Sequence, residues 1–133
     1  YSEDPEIVRA YAERFVRGLQ GAPGSKAFLD SAHVLATAKH FIGDGGTADG
    51  VDRGDNRSSE AELLKIHAPR YVAALNAGVQ TVMVSSTSWE GSKVHGAPYL
   101  LTDVLKQRMS TFGMVVIVLQ IVAAALMALG HYI

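Results

Sequence analysis

The chain contains no cysteine, which excludes disulfides and thiolate metal sites and leaves its redox compartment open. It also lacks a dominant charge. Against 13 Asp and Glu stand 12 Lys and Arg, a formal net charge of -1, so nothing marks a surface for nucleic acid or for an acidic partner. The five histidines, at 33, 40, 67, 95 and 131, show no compact ligand spacing, and no metal site is expected. Other absences are more local. The stretch "GDGGTADG" has neither the lysine nor the spacing of a phosphate-binding loop. The loop 49–60 has the length of a calcium loop, but Val51 and Arg53 stand where oxygen ligands belong, which rejects that reading. No internal repeat or low-complexity tract occurs. Residue 1 is Tyr rather than Met, and "YSEDPEIV" runs straight into a helical pattern. No signal peptide can be read there, and the chain is expected to be a piece of a longer one.

One further absence is conspicuous: Met109 to Gly130, "MSTFGMVVIVLQIVAAALMALG", has no charged residue, and Gln120 is its one strongly polar side chain. Lys106 and Arg108 precede the run and His131 follows it. A run of about 20 apolar residues can span a bilayer. A buried strand followed by a buried helix accounts for it equally well, since Gly113 and the β-branched stretch 115–118 suit a strand.

What is present alternates between two periodicities. Asp4 is placed to cap a helix that has Pro5 in its first turn and Gly21 as its stop. Ile7, Val8, Tyr11, Phe15 and Leu19 share one face of it, with Arg9, Glu13 and Arg17 turned away. A strand is expected at 34–38, then a polar, glycine-rich loop from Gly43 to Ser58. Ser59 and Glu62 have capping-box spacing. Pro69 divides the following helical stretch in two, and Gly78 ends it. Strands are expected at 81–85 and 114–118, with "YLLTDVLKQRM" a helix between them. Strands separated by helices argue for parallel β/α units in one sheet.

In parallel α/β folds, ligands bind at the carboxyl ends of the strands. Two long loops leave those ends here. One carries Lys39, His40 and Asp44, the other Ser86, Ser88, Trp89 and Glu90. An ammonium beside an imidazole offers directional hydrogen bonds to a polyol; a solvated turn is the commoner use of such a pair. Trp89 could stack on a sugar face or a base, or simply pack. The adhesion-like tripeptide Arg53-Gly54-Asp55 and the sequon Asn56-Arg57-Ser58 are short enough to arise by chance.

Taken in order, "YSEDPEIV", "VLATAKHFIGDGGT", "GVDRGDNRSSEAELLKIHAPRYVAALNAGVQTVMVS", the Ser88-Trp89 and Gly91 pattern and "HGAPYLLTDVLK" resemble glycoside hydrolase family 3, in particular bacterial β-glucosidases and exo-glucanases. The likeness runs from residue 1 to about 116. It implies part of a (β/α)8 barrel, about three β/α units over 1–116, followed by an atypical hydrophobic tail, 117–133. It implies that Lys39 and His40 hydrogen-bond the hydroxyls of the glycosyl unit before the scissile bond, and that Met83 and Ser86 line the same pocket. Family members usually carry an aromatic residue at position 86 and Asn at position 90, where this chain has Ser86 and Glu90. The implied ligand is a β-linked glucoside or oligosaccharide, with no cofactor and no nucleic acid. The implied location of the parent family is periplasmic or extracellular, and a membrane-spanning helix through 112–130 is the alternative the tail allows.

The end of the likeness departs most. The family closes this region on a pattern like M-G-F-x-G-F-V-V-S-D-W, whose Asp is the nucleophile. Here the register reads "MSTFGMVVIVL", with Val118 at the nucleophile's position and Leu119 at the tryptophan's. Retaining hydrolysis needs one carboxylate to attack the anomeric carbon and a second carboxyl group, about 5 Å away, to protonate the leaving oxygen. Val118 can do neither, and the family's acid/base lies in later sequence. The chain is therefore expected to be inactive. Glu90 is not expected to substitute, because retaining geometry demands specific placement. A non-catalytic carbohydrate-binding remnant and a membrane-anchored segment are the alternative readings.

Overall fold

A computed structural model of the chain describes residues 2–109 and 116–118. Helix α1, Pro5–Gln20, begins as its sequence requires: Asp4 accepts the Glu6 N–H and Pro5 occupies the first turn. Strand β1 is Thr37–Phe41, β2 is Asp55–Asn56, and the paired helices α2, Glu60–His67, and α3, Pro69–Asn76, follow. Strand β3 is Thr81–Val84, β4 is Ser88–Trp89 and β5 is Ser92–Lys93. Helix α4, Tyr99–Met109, has the wider π-type winding, and β6 is Val116–Val118. Ser59 accepts from Glu62 N while Glu62 reaches back to Ser59 N, so the capping box read from the sequence opens α2.

The main sheet has the order β1-β3-β6, parallel throughout, with helices between successive strands. A mixed α/β fold with a parallel sheet is thus present. Phe41, Val82 and Val84 from the strands pack with Leu63, Tyr71, Leu75, Leu100, Val104 and Leu105 from the helices, all nearly inaccessible to solvent. A smaller sheet, β2-β4-β5, lies beyond the carboxyl ends of β1 and β3. It pairs β2 parallel to β4 and folds β4 back on β5.

Three expectations are corrected or sharpened. The first strand is Thr37–Phe41, three residues later than 34–38. Val34 N–H instead bonds the Leu19 carbonyl at 2.7 Å, and the buried Gln20 side chain accepts from Ala36 N, so 34–36 are tied to the end of α1. Lys39 and His40 consequently lie within the strand and not in the loop after it. Secondly, packing decides how the shared face Ile7, Tyr11, Phe15 and Leu19 of α1 is used. It is 44–50% exposed, while Val16 and Gln20 are the residues of α1 that bury. α1 packs on α3, and Tyr11, Phe15 and Leu19 line a cleft of about 480 Å³ between α1 and β1. Thirdly, a membrane-spanning helix through 112–130 gains no support. Within that run Val116–Val118 is a strand, hydrogen-bonded beside β3, and no helix among the described residues is long and apolar enough to cross a membrane. The remainder of the run lies outside the described residues.

The glycine-rich loop is compact because its glycines approach buried side chains. Asn56, fully buried, donates its amide to the Gly43 carbonyl at 3.0 Å and accepts from the Ser58 N–H and hydroxyl. Gly43 adopts a left-handed φ of 99°. A Cβ at Gly46 would stand 2.6 Å from Asn56 Nδ2 and 2.8 Å from His67 Nε2. Gly46→Ala is accordingly expected to lower unfolding free energy by about 1–3 kcal/mol through overpacking, measured by urea denaturation.

His67 is 7% exposed beneath this loop. Burial holds its pKa below the ordinary histidine value, the neighbouring Arg70 charge adds to the effect, and Asp44 opposes it. The unfolded chain therefore binds this proton more readily than the folded one. His67's contribution to stability is whole above about pH 6.5 and is lost as the pH falls from there through the lower folded-state value. Urea midpoints measured across that window should decline with acidification, and His67→Gln should flatten the decline.

Candidate glycosyl-binding site

Strand β1 does not pair uniformly with β3. Thr37, Ala38 and Lys39 face Thr81, Val82 and Met83 in register, but Phe41 faces Val84, leaving His40 as an extra residue. Such a bulge re-aims side chains, because neighbours in a regular strand point to opposite faces. Phe41 turns into the core, edge-on to Tyr71 with ring centroids 5.0 Å apart. His40 lines both clefts at this end of the sheet, and Lys39 lines the one beside α1. The Lys39–His40 and Phe41–Ile42 peptide bonds are cis. The Tyr71 phenol donates to the His40 carbonyl at 2.5 Å, and burial raises its pKa to about 12.

The second cleft, about 400 Å³, is bounded by His40, Asp44, Thr47, Ser85, Ser86 and Thr87 together with the loop 50–53. Asp44 is the centre of its polar wall. His40 Nδ1 lies 2.8 Å from Asp44 Oδ2, and the Ser85 hydroxyl donates to Asp44 Oδ1. Ser85 Oγ in turn lies 2.7 Å from Thr87 Oγ1 and accepts the Thr87 N–H at 2.9 Å. Among the described residues, the Lys39 side chain makes no hydrogen bond or ion pair, and no group of three His, Cys, Asp or Glu side chains could hold a metal.

His40, Asp44 and Ser86 are therefore brought around one cavity, with Lys39 adjoining. Met83 and Trp89 line neither cleft. Met83 is half-buried in the centre of the sheet, flanked in register by Lys39 and by residue 118. The Trp89 indole N–H is bound to the Ser58 carbonyl at 2.9 Å, and the ring packs against the core. Glu90 is exposed, with a positive φ of 49°, and lines neither cleft. Asp55 accepts from Gly91 N at 2.8 Å, so the acidic group of the adhesion-like tripeptide braces the neighbouring turn.

Ser85 and Thr87 are not singled out by the sequence. They are short hydroxyl residues in the stretch "VSSTSW", and nothing local distinguishes Ser85, which bonds Asp44, and Thr87, which bonds Ser85, from their neighbours. The available signal is alternation: the residues two apart beyond a strand end return to the same side.

The geometry accords with known proteins. A sequence model described as "Glycosyl hydrolase family 3 N terminal domain" matches residues 1–128. A β-xylosidase of Formosa agariphila is 37% identical over 117 residues, covering 87% of this chain and 16% of that protein. A periplasmic β-glucosidase of Salmonella typhimurium is 29% identical and covers 87% of this chain and 15% of its own length. The crystal structure of an exo-1,3/1,4-β-glucanase from a Pseudoalteromonas species superimposes with a TM-score of 0.83 at 50% identity, over 90% of this chain and 15% of that one. The chain thus spans about a sixth of the relatives it matches. With the matching motifs, the matching superposition and a polar cleft at the carboxyl ends of its parallel strands, the chain belongs to glycosyl hydrolase family 3, in the region of the family's N-terminal domain.

Proposed function

We propose that this chain forms part of the barrel of a β-glucoside-hydrolysing enzyme, and that it holds the glycosyl unit without itself cleaving the bond. Lys39 donates to a sugar hydroxyl, His40 holds a second contact to the same face, and Ser86 bounds the pocket where an aromatic residue is usual. Met83 supports the floor from within the sheet, and Trp89 fastens the second loop and does not stack on the sugar. The observation that carries the reading is the meeting of His40, Asp44 and Ser86 around one cleft at the carboxyl ends of β1 and β3.

Register supports the expected absence of turnover. Residue 118 pairs with Met83, which pairs with Lys39, and on this reading that row holds the nucleophile's place, where this chain has Val118. A saturated isopropyl group has no lone pair with which to attack the anomeric carbon. Glu90 lies outside the cleft, so on this reading it does not stand in for the missing nucleophile. The half-exposed stripe on α1 and the free edge of β1 are, on this reading, the surfaces on which a preceding β/α unit of the barrel packs. The division at 116/117 is part of the proposal, as is a periplasmic or extracellular site of action, by analogy with the periplasmic relatives.

The purified chain is expected to release no chromophore from p-nitrophenyl β-glucoside or β-xyloside above background, and turnover abolished by His40→Ala would overturn the claim. Val118→Asp alone is expected to leave that rate at background, since the acid/base partner is still missing. Glucose titrated into the ¹⁵N-labelled chain should shift amide signals at 39–44 and 85–87 with saturation. Lys39→Ala and His40→Ala should each weaken that binding about tenfold, the scale of one charge-assisted or buried hydrogen bond. A flat titration of the folded chain sinks the sugar-holding reading.

A further inference from the structure

We propose that Asp44, backed by Ser85 and Thr87, is a positioning residue that locks His40 in the Nδ1–H tautomer and so presents Nε2 to the ligand as a hydrogen-bond acceptor. The ligand half of this inference rests on the sugar-holding role of His40; the tautomer half does not.

The direction of every hydrogen bond in the cluster follows from one fact, that a carboxylate can only accept. Both groups facing Asp44 must therefore donate: His40 through Nδ1–H at 2.8 Å, and Ser85 through its hydroxyl. Ser85 has one hydroxyl proton, now committed. Its oxygen must then accept from the Thr87 hydroxyl at 2.7 Å as well as from the Thr87 backbone N–H at 2.9 Å. The chain Thr87 to Ser85 to Asp44 to His40 has no member free to reverse. Ser85 and Thr87 are 1% and 3% exposed, so water does not compete for the bonds between them; the His40 and Asp44 side chains, 30% and 35% exposed, face the cleft. The Tyr71 phenol holds the His40 carbonyl, fixing the other end of the residue.

In the neutral ring, an Nδ1–H leaves Nε2 with its lone pair. Nε2 has no partner among the described residues, and His40 borders both clefts. Lys39 next to it can only donate. The adjoining side chains thus offer a donor and an acceptor, a combination that fits a hydroxyl, which takes a bond from the ammonium and gives its own proton to the imidazole. An ether oxygen or a fluorine has no proton to give. The predicted recognition element is a free sugar hydroxyl and not merely an electronegative atom.

The test uses the full ¹⁵N-labelled chain at about pH 8.5, roughly two units above the ordinary histidine pKa, with long-range ¹H–¹⁵N spectra of the imidazoles. His40 is assigned by its loss in His40→Gln. The expected pattern is a protonated Nδ1 and an unprotonated Nε2. In Asp44→Asn, Ser85 keeps its acceptor by turning the amide oxygen towards itself, which turns the amide NH₂ towards His40 Nδ1; the ring should invert to Nε2–H. Ser85→Ala keeps the carboxylate and should keep the wild-type tautomer. An Nε2–H ring in the wild type overturns the proposal, as does a tautomer unchanged in a folded Asp44→Asn. Should Asp44→Asn lose its amide dispersion, the wild-type pattern decides alone. Binding of glucose and its monodeoxyfluoro analogues supplies the second readout. One analogue should bind the wild type about tenfold more weakly than glucose, and that difference should vanish in Asp44→Asn. A wild type with the expected tautomer that binds no glucose upholds the positioning role and removes the sugar from it.

Discussion

The one-residue slip between β1 and β3 is the constraint on which the site depends. Side chains in a regular strand alternate across the sheet, and with even pairing Lys39 and His40 would point to opposite faces. The register runs Lys39 to Met83 and then Phe41 to Val84, which puts the extra residue at His40. Phe41 is thereby free to enter the core against Tyr71, and both polar neighbours border the clefts at the same end of the sheet. A strand interior is also better held than a loop. Lys39 inherits its position from pairing with Met83, and His40 from the Tyr71 bond to its carbonyl and the fully buried Phe41 beside it.

Around that bulge, the loops are held by buried polar groups and not by apolar packing. Asn56 ties Gly43 to the segment leading into α2, and its own carbonyl is satisfied by Ser58. Asp44 ties the first loop to the second through Ser85. Fully satisfied networks of this sort rigidify because each lost partner leaves a desolvated group behind. The glycines at 43 and 46 are part of the same arrangement, since a Cβ at either would press on Asn56. His67 is the exception. Its Nδ1 is buried without a hydrogen-bond partner among the described residues, which is consistent with its preference for the neutral form.

On the proposed reading, substrate holding is built from β1, β3 and the loops after them, and cleavage would need a carboxylate one strand further along. Val118 sits in that strand, in the same row as Met83 and Lys39. The backbone pairing of β6 with β3 is regular over Val116–Val118, as suits β-branched residues in a parallel strand.

Much of the architecture was legible in the sequence because the signals are local. The Asp4 cap, the Ser59–Glu62 capping box, the break at Pro69 and the strand signals at 81–85 and 114–118 all act over a few residues, and strands Thr81–Val84 and Val116–Val118 lie within the last two. The resemblance likewise pointed to Lys39, His40 and Ser86 from linear motifs. What tertiary contacts decided was which apolar residues bury and where β1 starts. The stripe on α1 has a regular helical period, but period does not name the partner, and α3 met Val16 and Gln20 instead. Val34 and Ala36 read as strand until Leu19 and Gln20 claimed their backbone N–H groups. The bulge at His40 and the Asp44–Ser85–Thr87 chain were invisible for the same reason: pairing register and hydrogen-bond direction are properties of segments some 40 residues apart, and no local pattern encodes how two such segments slide before they lock.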